Sequence, residues 1–299
     1  MHFFEPLDST KGYWPGINNT TLFMGKPYRT ARLDWCEENY VVCKYIAEFW
    51  NTVSNLIFVA VALYGINLCR SKQLGTRYTA CFSLLALIGV GSWLFHMTLL
   101  REFQALDELP MWFMIVLFTY VMSEVRDKPI RGPWFPALLI TETLVFPPAY
   151  ASIPNPWFFL VFFSSQTFLV LYFSLRSYSI LPSSNPAKKS AKSILILAWV
   201  SLGLAFALWV ADTALCSQIR SLRTMAGDSF FASFLQFHAL WHLGTGFSIY
   251  CFILFSILSR DILRGEGYIL SLTAKGTMNL LVPGLSPIHI DHPRMAHKA

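Results

Sequence analysis

Two histidines four residues apart, His238 and His242, lie in the run Gln236-Phe237-His238-Ala239-Leu240-Trp241-His242, inside an otherwise apolar segment. On a helix, positions i and i+4 share one face, so both imidazoles can address a single point. A third histidine, His96, follows Ser92 at the same spacing in another apolar segment, which puts a hydroxyl on the face of that imidazole. Ionisable side chains inside a membrane span are costly and mark a functional site by default. One transmembrane histidine more often bridges helices by a hydrogen bond; three that meet in one layer point to a metal. Three neutral imidazoles with an open fourth position make a catalytic zinc site, where the metal draws the pKa of a bound water towards ~7. The chemistry such a site supports is hydrolysis. His2, His289, His292 and His297 lie in polar terminal stretches and read as solvated.

The elements that position these residues follow from composition. The chain has 299 residues, 55% of them hydrophobic and only 13% charged. Soluble domains carry roughly 25% charged residues, so this is an all-α, polytopic membrane protein. Apolar runs long enough to cross a ~30 Å hydrocarbon core recur near 48–69, 79–100, 110–124, 133–151, 157–175, 193–215 and 232–258. They predict seven transmembrane helices, the third short and the fourth kinked or ended by Pro147-Pro148. The loops after helices one, three and five hold ten Lys and Arg, and the other loops hold three (Arg101, Arg220 and Arg223). By the positive-inside rule the C-terminus is cytosolic and the N-terminus lumenal. The net charge of +6 is spread over these short runs, which argues for topology and against a nucleic-acid partner. The domain plan is a lumenal arm over 1–33, a membrane domain over 34–260 and a cytosolic tail over 261–299. No cleaved signal peptide is expected from the first residues. Asn18 and Asn19 begin two overlapping glycosylation sequons.

Depth then follows from topology. His96 lies about four residues before the lumenal end of its helix, roughly 6 Å inside at 1.5 Å per residue. His238 and His242 lie one to three turns inside the lumenal end of helix seven. Asp107 opens helix three, Asp212 closes helix six and Glu48 opens helix one, all in the same layer. Asp212 reads equally as a helix-end acid and as a support for a zinc histidine. Glu142, mid-helix, has no role that the sequence supplies. Cys36 and Cys216 both fall on the oxidising side, where a disulfide between them would persist. Cys69, Cys81 and Cys251 read as small buried apolar residues, and Cys43 as free.

A second constellation, Asp34-Trp35-Cys36-Glu37-Glu38-Asn39-Tyr40 with Glu48, gathers the hard oxygen donors that calcium takes, though not at EF-hand spacing. As a bare pattern it reads first as a solvated acidic juxtamembrane stretch. That block resembles the alkaline ceramidase family. So do Ile46-Ala47-Glu48-Phe49-Trp50-Asn51-Thr52-Val53-Ser54-Asn55, Gly91-Ser92-Trp93, Phe95-His96-Met97-Thr98-Leu99, Leu106-Asp107-Glu108-Leu109-Pro110-Met111 and Gln236-Phe237-His238-Ala239. The blocks cover 34 to about 260. The resemblance implies a seven-helix membrane enzyme that splits the amide of a ceramide or phytoceramide into a sphingoid base and a fatty acid. It implies zinc held by His96, His238 and His242, with Asp107 as acid and base and Ser92 near the oxyanion. It further implies calcium held by Asp34, the Trp35 carbonyl, Glu37, Asn39 and Glu48, and a Cys36–Cys216 disulfide. The expected partners are a ceramide-type lipid and the membrane, and the expected location is the endoplasmic reticulum, with the Golgi sharing the same topology.

Two rivals stand beside it. The histidine layout is also similar to the progestin and adipoQ receptors, seven-helix zinc proteins, which are not expected to carry the Asp34–Tyr40 block. A proton-relay transporter would place histidines on both sides of the midplane and show internal repeats; neither is seen.

Overall fold

A computed structural model of the chain describes residues 31–265 apart from 34, 44, 127–129, 154 and 228–229, together with the backbone of 22–23 and 26–27. Asp34, the sequons at Asn18 and Asn19, His2 and the three tail histidines lie outside the described residues. The arm, expected to be irregular, contains a two-stranded antiparallel pair, β1 (Leu22–Phe23) and β2 (Lys26–Pro27), in the register Leu22 to Pro27. The helices among the described residues are α1 (Phe49–Ser54), α2 (Leu56–Lys72), α3 (Thr76–Thr98), α4 (Arg101–Ser123), α5 (Trp134–Ser152), α6 (Pro156–Ser179), α7 (Ala187–Ala214), α8 (Cys216–Ala226), α9 (Phe230–Ser233) and α10 (Phe237–Arg264).

Among the described residues, six helical stretches are long and apolar enough to cross a membrane: Phe49–Lys72 (α1 with α2), Thr76–Thr98, Arg101–Ser123, Trp157–Ser179, Ala187–Ala214 and Phe237–Arg264. The remaining long helix, α5, has 19 residues, but Glu142, Pro147 and Pro148 dilute its apolar character. Those prolines lie inside it and do not end it at 147–148; it runs to Ser152. The apolar faces of α2, α5, α6 and α7 present large side chains outward, among them Leu63, Leu144, Phe168 and Leu204. In water such a surface would aggregate.

The helix at the centre is α10. In its most apolar window 78% of the residues are buried, against 22% in those of α6 and α7. Small residues bring α7 against it, and Ser201 and Ser248 tie the pair by donating to the carbonyls of Gly244 and Ala198 at 2.8 Å.

Three boundaries differ from the sequence reading where the site is built. The third span is not short: α4 begins at Arg101, so Asp107 lies in its second turn instead of opening it. Hydropathy missed these turns because Arg101, Glu102, Gln104, Asp107 and Glu108 are polar; several find partners on neighbouring elements. The last long helix begins at Phe237 and not near 232, which puts His238 and His242 in its first two turns. Between α7 and α10 lies α8, a short amphipathic helix the sequence reading left as loop.

The α3–α4 connection is tight. Leu99 adopts a left-handed conformation (φ 51°) as the C-cap of α3, and Leu100 is extended before α4 starts. Lower down, Pro110 cannot donate to the carbonyl of Leu106, four residues earlier. That carbonyl lies against Gly91, where an added Cβ would collide with the Leu106 oxygen. Only glycine lets α3 and α4 approach this closely, and the approach sets Ser92 beside Asp107.

Candidate metal centre

The ligand nitrogens of His96, His238 and His242 lie within 4.8 Å of one another, and all three residues are buried. Their ring centroids are 4.7–5.1 Å apart. Packing three imidazoles this closely in an apolar interior requires them to be neutral or to share a cation.

The hydrogen bonds decide which nitrogen of each ring is available. His96 Nδ1 is 2.5 Å from Glu48 Oε2, so this nitrogen carries the proton and Nε2 keeps its lone pair. Ser54 donates its hydroxyl proton to the carbonyl of Asn51, so its oxygen accepts from His242 Nδ1 at 2.8 Å, again leaving Nε2 with the lone pair. Nε2 of His96 and Nδ1 of His238 are buried without a protein partner. Buried polar atoms are nearly always paired, and those that are not need an explanation. A cation held at their meeting point would supply the missing partner. The donor set of neutral nitrogens suits zinc better than calcium or magnesium.

Each ring is also held from behind. Glu48 reaches His96 twice, since its backbone N–H donates to the His96 carbonyl at 3.0 Å. Its Oε1 accepts from the backbone of Trp35 at 3.1 Å. The Trp35 indole stacks on His238 with centroids 3.8 Å apart and the planes 20° apart. Asp212 takes the backbone N–H of Cys36 at 3.1 Å and that of His238 at 3.3 Å. It therefore caps the N-terminus of α10 from another helix, while Glu37 does the same for α1 by accepting from Trp50 and Asn51 at 2.7 and 2.8 Å. Neither helix caps itself with its own N-cap side chain.

On the open side, the Ser92 hydroxyl lies near enough to the Asp107 carboxylate to favour its charged form. Both belong to the turns that the Gly91 contact brings together, in the layer of His96 one turn further along α3. The arrangement offers a carboxylate able to hold a proton and a hydroxyl aimed at it, next to three imidazoles.

The acidic loop takes a different form from a bare cation cage. Among its expected ligands Glu37 and Glu48 are buried and close enough to repel each other, and Glu37 is pushed up to about 8 mainly by burial. The N–H groups of Trp50 and Asn51 pull it part of the way back. Each carboxylate has about four lone-pair sites, so these bonds leave acceptor capacity, and a cation would relieve the repulsion. The Trp35 carbonyl faces Arg220 Nη2 at 3.5 Å. Asn39 belongs to the same loop, and Asp34 is outside the described residues.

A disulfide joins Cys36 to Cys216, with Cα atoms 5.3 Å apart, and fastens the loop to α8. From that helix Arg220 Nε donates to the Cys36 carbonyl at 3.0 Å. Arg223 donates to the same carbonyl and to Gln236 Oε1, each at 2.5 Å, and pairs with Glu38 at 3.3 Å. Burial pulls the Arg223 guanidinium below its ordinary value, and Glu38, Asp212 and Glu37 oppose the shift.

The three histidines that the sequence singled out are brought together, with Ser92 and Asp107 close by. Sequence reasoning missed Ser54 as the partner of His242, Glu48 as the partner of His96, the Trp35 ring and the arginines of α8. Spacing along one helix reveals partners on that helix, and each of these partners comes from another element. The only signal for α8 was Arg220 and Arg223, three apart in a short amphipathic run.

The Ceramidase family profile matches residues 27–275, wider at both ends than the blocks between 34 and 260. Alkaline ceramidase 3 of Mus musculus is 35% identical over 261 residues, covering 86% of this chain and 90% of that protein. Alkaline ceramidase YPC1 of Saccharomyces cerevisiae is 32% identical over 237 residues, 75% of each chain. The putative alkaline ceramidase dcd3B of Dictyostelium discoideum is 30% identical over 284 residues, 84% of this chain and 93% of that protein. With a family match over most of its length and relatives at 30–35% identity aligned over three quarters or more of this chain, the chain belongs to the ceramidase family.

Proposed function

We propose that this protein hydrolyses the amide bond of ceramides within the membrane, releasing a sphingoid base and a free fatty acid. The observation that carries the reading is the meeting of three buried imidazoles, two of them with Nε2 lone pairs fixed by Glu48 and Ser54, beside the Ser92–Asp107 pair. His96, His238 and His242 would hold zinc. Zinc in such a setting acidifies a water and polarises a carbonyl. Asp107 takes a proton from the attacking water on its carboxylate and delivers it to the leaving amine nitrogen. Ser92, one turn from His96, steadies the Asp107 carboxylate at rest and, once Asp107 holds the water proton, turns its single O–H towards the developing oxyanion. The buried rings and the apolar walls keep bulk water from competing.

The same reading takes α5 as a seventh crossing, with the arm before residue 34 lumenal, the tail after 260 cytosolic, and the endoplasmic reticulum as location. It assigns calcium to Asp34, the Trp35 carbonyl, Glu37, Asn39 and Glu48, in a structural role. Glu48 then belongs to both sites, which supports a link between calcium and the zinc layer. The relatives carry ceramidase names and do not favour the receptor reading.

The test is fatty-acid release from a panel of ceramides by purified protein, beside His238→Ala, with zinc content measured in both. Release that disappears in the variant together with the zinc supports the reading. Bound zinc with no release from any ceramide sinks it.

A further inference from the structure

The segment before the acidic loop is anchored at a place the proposed mechanism does not use. The backbone N–H of Ala31 donates to the Leu99 carbonyl at 3.0 Å, and that of Arg32 to Gln104 Oε1 at 2.7 Å. The Arg32 guanidinium donates to the Ile153 carbonyl at 2.8 Å and lies 5.6 Å from the centre of the Tyr150 ring. These partners belong to the α3–α4 turn, α4 and the end of α5. Three residues later Trp35 lies on His238, and Cys36 is bonded to α8. Three residues reach at most about 11 Å, so the anchors on α4 and α5 and those on α10 and α8 are joined by a single short step of chain.

The Arg32 side of this crossing is built around one carboxylate. Glu108 accepts from Gln104 Nε2 at 2.9 Å through Oε1 and from the Tyr150 hydroxyl at 2.5 Å through Oε2. Because Glu108 takes the amide nitrogen of Gln104, the amide oxygen is left to face Arg32 and Arg101, the latter at 3.3 Å. Arg101 also donates to the Tyr150 hydroxyl at 3.1 Å. Gln104 is fully buried, so its orientation is fixed by these partners and not by solvent.

We propose that Glu108, Gln104 and Tyr150 form a docking seat for Arg32, and that this seat and the Cys36–Cys216 bridge are the two anchors of a strap across the histidine site. Glu108 is a positioning residue. It acts through Gln104 and Tyr150 on Arg32, and through the strap on Trp35, which rests on His238. The seat keeps the indole on the imidazole and shields the bound metal from the aqueous side. This inference rests on the zinc reading for its last step, and the strap itself does not depend on that reading.

The experiment uses the full chain in detergent micelles, as wild type, Arg32→Ala, Tyr150→Phe and the double variant. Hydrogen exchange is followed in peptides covering 31–40, and the rate of zinc loss to a chelator is followed in parallel. Each single variant is expected to exchange about tenfold faster in that segment, the effect of losing roughly one side-chain hydrogen bond, and to lose zinc faster by a similar factor. The double variant is expected to go no further than the stronger single one, because both act on one seat. Peptides from α10 stay protected throughout. Wild-type exchange in Arg32→Ala overturns the seat; this side chain is half-buried at the surface, so its removal leaves the fold intact even where Tyr150→Phe does not fold. Faster exchange with unchanged zinc loss overturns the shielding role. A wild type that holds no zinc refutes the proposed function instead, and the exchange measurement still decides the strap.

Discussion

Two of the polar clusters among the apolar helices are built on opposite plans. Halfway along α5, Glu142 accepts from Gln166 Nε2 at 2.6 Å, and Gln166 Oε1 accepts from the Thr119 hydroxyl at 2.9 Å. Three helices are joined by a chain of bonds that run from one side chain to the next. In the histidine layer the bonds run the other way. Glu48, Ser54 and Asp212 hold the rings or their backbone from behind, and ring nitrogens of His96 and His238 are left facing inward without a partner. A cluster that satisfies itself is a fastener between helices. A cluster that fixes its atoms from outside and leaves lone pairs at a common point is prepared for something else. Both look alike in a hydropathy plot.

The comparison breaks most sharply at the metal. His242→Ala is expected to abolish zinc binding and to lower ceramide hydrolysis by about a thousandfold or more, because unactivated water has a pKa near 15.7. Zinc analysis of the purified variant and fatty-acid release check both parts; full zinc content with lost release would move His242 out of the ligand set. Next comes the proton carrier. Asp107→Asn keeps the shape and the Ser92 contact but cannot take a proton, so turnover is expected to fall by about 10²–10⁴-fold with zinc retained. A variant that keeps normal turnover would leave the Ser92–Asp107 pair a purely structural one.

What could be read without coordinates follows from the same contrast. The i, i+4 spacings of Ser92 with His96 and of His238 with His242 show directly, since one helix carries each pair. Chain order and apolar length placed most of the helices. The start of α4 did not show, because Arg101, Gln104 and Glu108 are polar residues satisfied by Tyr150 and by the arm, and polarity alone looks like a loop. Glu48 was legible as an acid and not as the partner of His96, since that bond spans 48 residues. Pairings between elements are set by packing, such as the Gly91 approach to Leu106, and packing leaves little mark on the periodicity of either helix.

The supports behind the rings give smaller and graded effects. Glu48→Gln removes the charge that favours a proton on His96 Nδ1, and zinc affinity is expected to weaken about 10–100-fold. Competition with a chelator of known affinity measures it, and an unchanged affinity would mean that Glu48 serves only the arm. Gly91→Ala pushes α3 off the Leu106 carbonyl, and overpacking of this kind costs about 1–3 kcal/mol. Thermal unfolding reads that cost. Because Ser92 and Asp107 are moved apart by the same shift, turnover should fall while zinc content stays. Equal turnover would show that the close approach is not what sets the pair.

The smallest effect is expected at the self-satisfied cluster. In Glu142→Gln the size and shape of the side chain are kept and Gln166 can reorient to supply either an oxygen or a nitrogen, so the chain from Thr119 through Gln166 can close again. Hydrolysis is expected to stay within about twofold, and stability within the ~0.5–1.5 kcal/mol typical of one net hydrogen bond. Glu142→Leu leaves the Gln166 Nε2 group buried without its partner, and should cost about 1–3 kcal/mol without touching zinc. If either variant instead lost turnover as Asp107→Asn does, with zinc and fold intact, Glu142 would have to reach the lipid or the water that reacts. The two clusters would then be parts of one site, and the rule that separates a fastener from a prepared site by its unpartnered atoms would fail in this protein.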